Sequence, residues 1–203
     1  MELADVLARR RMVRRFDPDV AVPPEIIESL LAAARRTPSA GFTQGVAFLV
    51  LDRPEDRDRF WSATAPGAAR ATSRWLDGMQ TAPLLILVWT SEQAYLDRYA
   101  EPDKGWTDRD PDRWSAPYWW VDAGMASLAL LLSAVDAELG GCFFGVPVDR
   151  QDAVRAAFGV PSDRQSVGVV AVGRPVGSSG TPGSPARRPR RPAAELIHRG
   201  HWL

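Results

Sequence analysis

The chain has 203 residues, 45% hydrophobic and 25% charged, enough for one domain with a sizeable core. Lys+Arg and Asp+Glu both number 25, and that balance excludes the basic excess of a dedicated nucleic-acid binder. A single cysteine, Cys142, excludes an internal disulfide and fits a reducing compartment.

Glu2 to Arg10 carries Leu3, Val6 and Leu7 at helical spacing and reads as a short helix. Arg9 to Phe16, RRRMVRRF, follows with five arginines in eight residues and extended character from Val13. Val22-Pro23-Pro24-Glu25 starts a second helix whose apolar face is Ile26, Ile27, Leu30, Leu31 and Ala34. Thr37 to Gly41 breaks it. Val46–Leu51 and Leu84–Trp89 are continuous apolar runs, expected as buried strands. Between them, Pro54–Ala63 and Gly67–Gly78 read as helices. Tyr95 to Trp120 is rich in Trp, Tyr, Asp and Pro and is expected as a long irregular loop with at most a helical piece. Val121–Glu138 is the strongest helix, ended by Gly140-Gly141. Cys142–Val146 then reads as a strand, Arg150–Phe158 as a helix and Ser166–Val172 as a last strand. Gly177–Pro192 is Gly, Ser, Pro and Arg with few exceptions, expected as extended backbone, and Ala193–Leu203 forms a tail. The whole reads as a single α+β domain over residues 1–203.

No targeting segment is visible at the N-terminus, and runs such as Pro83–Trp89 are too short to span a bilayer as helix, so a cytoplasmic protein without membrane contact is expected. There is no GxxxxGK[ST] loop and no GxGxxG after a strand. His198 and His201 lack further ligands nearby, so no metal is expected. Cys142, inside GCFFG, reads as a buried structural thiol. What remains are two arginine clusters, Arg9–Arg15 and Arg187–Arg191, and arginine forks match phosphate oxygens. Two readings stand on residue types alone: an anion site where folding joins the clusters, or two solvated surface runs.

The order of motifs carries more. RRRMVRRF, then PSAGFTQ (Pro38 to Gln44), then ELGGCFFGVP (Glu138 to Pro147), VGRP (Val172 to Pro175) and RRPAAELIHRGHW (Arg190 to Trp202) resemble the nitroreductase family of flavoenzymes over essentially the whole chain. That family typically reads RRSxRxF, PSxxNxQPW and GLGxxWIG at similar spacing. The resemblance implies a central, mostly antiparallel sheet flanked by helices in an intertwined homodimer, with FMN at the dimer interface and NAD(P)H as co-substrate. It implies that Arg10 and Arg188 or Arg190 grip the flavin phosphate, and that Arg11 holds phosphate or ribityl oxygens. Arg14 would reach the N1/O2 edge of the ring, and Arg9 and Arg15 would face solvent or form salt bridges. Pro38, Ser39, Ala40, Gly41 and Gln44 would come from the partner subunit to line the ring, and Gly140 and Gly141 would cover the N5/O4 edge.

The chain departs from the family at Met12, where serine is common, at Phe42, where asparagine is common, and at Gly45-Val46, where Pro-Trp is common. Met12 and Phe42 each remove a polar contact to the cofactor. Phe42, Trp106, Trp114, Tyr118 and Trp119 are candidates for a substrate pocket, with packing of the dimer as the competing reading. The activity implied is hydride transfer from NAD(P)H through flavin to a nitroaromatic, quinone or activated alkene. The alternatives are a flavin- or deazaflavin-binding protein of the same fold, or a cofactor-free interaction protein.

Overall fold

In the computed structural model, residues 1–64, 73–177 and 188–202 are described. Leu84–Thr90 is the second strand in the chain but lies inside the sheet, and it explains the architecture. It pairs antiparallel with Val46–Leu51 on one side and with Gln165–Gly173 on the other. In chain order the strands are β1 (Val46–Leu51), β2 (Leu84–Thr90), β3 (Gly140–Phe144) and β4 (Gln165–Gly173), and the sheet runs β1-β2-β4-β3, antiparallel throughout. Successive strand side chains point to opposite faces. Leu85, Leu87 and Trp89 enter one core, while Leu84, Ile86 and Val88 enter the other. An unbroken apolar run is what a strand covered on both faces requires.

The helices are α1 (Leu3–Arg9), α2 (Pro24–Arg35), α3 (Pro54–Thr64), α4 (Arg74–Met79), α5 (Glu92–Ala100), α6 (Tyr118–Asp136) and α7 (Gln151–Phe158). One sheet face is covered by Phe60 and Trp61 of α3, Met79 of α4 and Val154 of α7. Ile27, Leu30 and Ala34 of α2 and Ala123, Ala126, Leu130 and Ala134 of α6 cover the other. Alanines along α6 let it lie close on the strands.

Several boundaries differ from expectation. The helix expected over Gly67–Gly78 is found only at Arg74–Met79, and its residues 67–72 lie outside the described ones, as do 178–187 of the Gly177–Pro192 segment. Tyr95–Trp120 is not one loop: Tyr95 and Tyr99 sit on α5, capped by Ser91 Oγ accepting from the Ala94 N–H, and Tyr118 already begins α6. α6 ends at Asp136 rather than at the glycines. Glu138 takes the left-handed conformation (φ 60°) that glycine often supplies past a helix end, and the Leu139 N–H returns to the Ala134 carbonyl at 2.8 Å. Gly140-Gly141 is thereby free to open β3, where Gly140 faces Gly173. By length and composition α6 is also apolar enough to cross a membrane, against the expectation that no run was; half of it is buried, and it packs on the sheet.

Candidate functional site

Residues 10–16 leave α1 extended and dock along β3. Met12 forms a parallel bridge with Gly141, and the Val13 N–H donates to the Gly141 carbonyl at 2.9 Å. Phe16 is fully buried, bridges to Pro175, and donates its N–H to Thr81 Oγ1 at 2.9 Å. The Asp17 N–H donates to the Arg174 carbonyl at 2.9 Å. This approach needs missing side chains: a Cβ on Gly140 would fall 2.6 Å from Val13 Cγ2, and one on Gly78 would fall 2.1 Å from the Arg14 carbonyl oxygen. Folding therefore joins three of the sequence motifs, RRRMVRRF, ELGGCFFGVP and VGRP. A cleft of about 350 Å³ opens beside them, lined by Arg9, Arg11, Val13, Glu138, Leu139 and Gly140 among others.

Arg10, Arg11, Arg14 and Arg15 make no ion pair among the described residues, although Glu138 lines the same cleft. Arg35, Arg36, Arg57, Arg74 and Arg174 make none either, so what marks the segment is four such cations within six residues. Arg14 is half-buried. Burial pushes the Cys142 thiol above its ordinary value, and the nearby Arg14 charge offsets part of that. Fixed guanidinium groups without carboxylate partners suit a phosphate or another anion. Arg9, expected to face solvent, is exposed but also lines the cleft, with Nη1 2.9 Å from Met1 Sδ. Gly140 and Gly141 are buried, and packing against Val13 and Leu131 accounts for both glycines. Met12 is partly exposed at the bridge. Arg188 and Arg190 are exposed and line neither this cleft nor the next, so one chain does not join the two arginine clusters there.

The second cleft, about 230 Å³, lies at the end of α2 and is lined by Arg35, Thr37, Pro38, Ser39, Gln44 and Asp122, over Val46 and Phe48 of β1. It shares no lining residue with the first. Its rim is a tight loop. Gly41, Phe42 and Gln44 have φ of 61°, 54° and 56°. Left-handed backbone at two non-glycine residues costs on the order of 1–3 kcal/mol each. The loop is held from several sides. The Ala40 N–H donates to Asp122 Oδ2 at 2.8 Å, Arg98 Nε donates to the Gly41 carbonyl at 2.9 Å, and the Gln44 N–H donates to Ser39 Oγ at 3.0 Å. Cβ atoms on Gly41 and Gly45 would fall 2.5 Å from Tyr99 Cε2 and 2.4 Å from Tyr95 Cε2. Phe42 stands out at 76% exposure.

The aromatic candidates pack on one another. Trp114 is the hub, with ring centroids 4.3 Å from Tyr99, 5.5 Å from Trp106, 5.7 Å from Tyr118 and 6.0 Å from Trp119. Trp119 is buried, and Trp106, Trp114, Tyr118 and Trp119 line neither cleft. Sequence reasoning missed Asp122, Tyr95 and Arg98. The available signal was Asp122 itself, a lone acid within the otherwise apolar YWWVDAGMASLALLL. Among the described residues, no cluster of His, Cys, Asp and Glu could hold a metal.

Residues 7–174 match the Nitroreductase family, and the chain belongs to that family of oxidoreductases. It is similar to solved structures over its full length. A protein of NADH oxidase type from Clostridium acetobutylicum aligns at 25% identity with a TM-score of 0.68, covering 98% of this chain and 100% of that one. A protein of nitroreductase type from Exiguobacterium sibiricum, solved in complex with FMN, aligns at 21% identity with a TM-score of 0.74, covering 98% and 97%. The enone reductase CLA-ER, described as catalysing a step of gut-bacterial fatty acid saturation, aligns at 20% identity with a TM-score of 0.75, covering 98% of each chain. In sequence, a CLA biosynthesis enone reductase from Lactiplantibacillus plantarum is 39% identical over 62 residues, which span 30% of this chain and 29% of that relative.

Proposed function

We propose that the chain is an FMN-dependent oxidoreductase, acting as a homodimer, that passes hydride from NAD(P)H to an electron-poor acceptor such as an activated alkene, a quinone or a nitroaromatic. The observation that carries it is the row of arginines without carboxylate partners, pinned to β3 beside a cleft in a chain of this family. FMN-bound neighbours of the same fold support the cofactor, and the two enone reductase matches favour an activated alkene.

In this reading Arg10 and Arg11 bind the phosphate end. Arg14 places fixed positive charge against the electron-rich edge of the ring, where it favours the reduced, anionic form. Bound FMN supplies the hydride chemistry, which is why the chain needs no catalytic triad. Ser39 and Gln44 orient the ring through polar contacts, and Phe42 gives an apolar wall on which a planar acceptor packs. Arg188 and Arg190, without ion pairs among the described residues, complete the phosphate site from the second copy.

Two features support the dimer. The two clefts are separate within one chain, and a second copy can set the arginine cleft of one against the 38–45 loop of the other. α6 also leaves Val121 and Leu128 exposed and α1 leaves Leu3 and Leu7 exposed, while Leu196, Ile197 and Trp202 of the tail are likewise uncovered. Burying such apolar surface drives association. Cytoplasmic localisation is part of the same proposal, since NAD(P)H is met there.

The test is the absorption spectrum of the purified protein with the mass of whatever heat releases, followed by NADH and NADPH oxidation with an enone or a quinone. A flavin band, the mass of FMN and acceptor-dependent turnover are expected, with sedimentation at twice the chain mass. A protein that takes up no added FMN refutes the reading.

A further inference from the structure

The 38–45 loop holds Gly41, Phe42 and Gln44 in left-handed conformations, and it needs something to hold it there. Its own hydrogen bonds, from the Phe42 N–H to the Ser39 carbonyl, from the Thr43 N–H and O–H to the Ala40 carbonyl and from the Gln44 N–H to Ser39 Oγ, close the turn but do not fix the turn to the body. Arg98 Nε holds the Gly41 carbonyl and Arg164 Nη1 the Gly45 carbonyl from long, partly exposed side chains, and the buried fixing contact comes from the sheet-facing helix. Asp122 of α6 is 2% exposed, and its Oδ2 accepts from both the Ala40 N–H and the Tyr95 O–H, each at 2.8 Å. Tyr95 is fully buried on α5, so its phenol cannot follow the loop if the loop moves. Burial first, then the hydrogen bond and the charge of Asp122, push the Tyr95 phenol far above its ordinary value, so it remains a donor at any working pH.

Asp122 has no ion-pair partner among the described residues. A buried carboxylate met only by neutral donors is costly to keep. Packing alone does not ask for it, because a leucine would suit an apolar helix better. Asp122 also lines the second cleft, and Oδ1 has no hydrogen-bond partner there among the described residues.

We infer that Asp122, held by Tyr95, is a positioning residue: it locks Ala40 so that Ser39 and Gln44 meet the cofactor and Phe42 faces the acceptor. The inference rests on the proposed flavin site for its functional half. Its structural half, the lock on Ala40, stands without it.

The experiment compares Asp122→Ala, Asp122→Asn and Tyr95→Phe with the wild-type chain, with Ser127→Ala as a control. Ser127 is buried on the same helix and donates to the Ala123 carbonyl, away from the loop. Three quantities are read: hydrogen exchange of the Ala40 amide in the FMN-free protein, the FMN dissociation constant by fluorescence titration, and the melting temperature. Asp122→Ala is expected to expose the Ala40 amide to exchange and weaken FMN about tenfold, the effect of losing one well-made hydrogen bond to a charged group. Asp122→Asn keeps an acceptor and is expected to retain most of the protection and the affinity. Ser127→Ala is expected to lower the melting temperature without touching either.

Unchanged Ala40 exchange in Asp122→Ala overturns the inference. So does an affinity loss in Asp122→Asn equal to that in Asp122→Ala with Ala40 still protected, because the carboxylate would then act by charge on the cleft rather than by position. A wild-type protein that binds no FMN sinks the proposed function alone, and the Ala40 exchange still decides whether the lock exists.

Discussion

The arginine segment, residues 9–16, and the aromatic segment, residues 95–120, are the two most unusual stretches of the chain, and they are built on opposite terms. In the aromatic segment the rings pack on one another and the arginines meet carboxylates. Trp114 sits among Tyr95, Tyr99, Trp106, Tyr118 and Trp119. Arg98 meets Asp103 and Glu101, Arg109 meets Asp97, and Arg113 meets Asp108 while lying 5.8 Å from the Trp106 ring. Hydrogen bonds to Arg98 and Arg109 hold the Asp103 and Asp97 carboxyls below their usual range. In the arginine segment the backbone is satisfied and the charges are not. The aromatic segment is built as structure, although the Trp114 indole N–H is buried without a hydrogen-bond partner among the described residues; the arginine segment leaves several cations without a carboxylate.

Trp114→Ala gives the largest expected effect, because it removes the hub of the aromatic cluster. A loss of about 3 kcal/mol in urea unfolding is expected, with FMN affinity nearly unchanged. An equal loss of flavin binding would show that the aromatic segment belongs to the site after all. Arg14→Ala should do the reverse, weakening FMN roughly tenfold with little change in melting temperature, since no ion pair is lost. Arg15→Ala, at an exposed neighbouring position, sharpens the contrast if it leaves affinity within about twofold. Leu128→Arg on the uncovered stripe of α6 should shift sedimentation toward the monomer while leaving the circular dichroism spectrum intact.

The smallest effect concerns pH. Burial raises the Cys142 thiol and the Tyr95 phenol, so each favours folding while neutral. That contribution is complete below the ordinary thiol value and is lost as pH rises past it. Cys142→Ala should flatten the fall in melting temperature above about pH 9, a range set by the thiol's ordinary value.

Much of this was legible in the residues. β2 announced itself because a strand covered on both faces has no polar side to disguise it. The order of RRRMVRRF, PSAGFTQ and ELGGCFFGVP gave the family, and the unpaired state of Arg10, Arg11 and Arg14 accords with the role that the resemblance implied. The aromatic segment misled because a high density of Trp and Pro hides helical spacing: Tyr95 and Tyr99 are four residues apart on one face of α5, and that face is where Trp114 packs. The helix stop misled because glycine is the usual left-handed residue, and here Glu138 takes that conformation. The strain of Phe42 and Gln44 could not be read at all, since nothing in a phenylalanine or glutamine foretells a positive φ. It is set by Asp122 and Arg98, which lie far along the chain.

The bridge between Met12 and Gly141 also has a kinetic meaning. It joins segments separated by most of the chain, as does the bridge between Phe16 and Pro175. Contacts of such long range form late, after the local helices and hairpins have reduced the search. On that ground the arginine segment is expected to dock late, with Phe16 in the core and a few main-chain bonds holding it once docked. If the proposed flavin phosphate bridges Arg10, Arg11 and the tail of a second copy, it would latch that step, slowing unfolding more than it speeds folding.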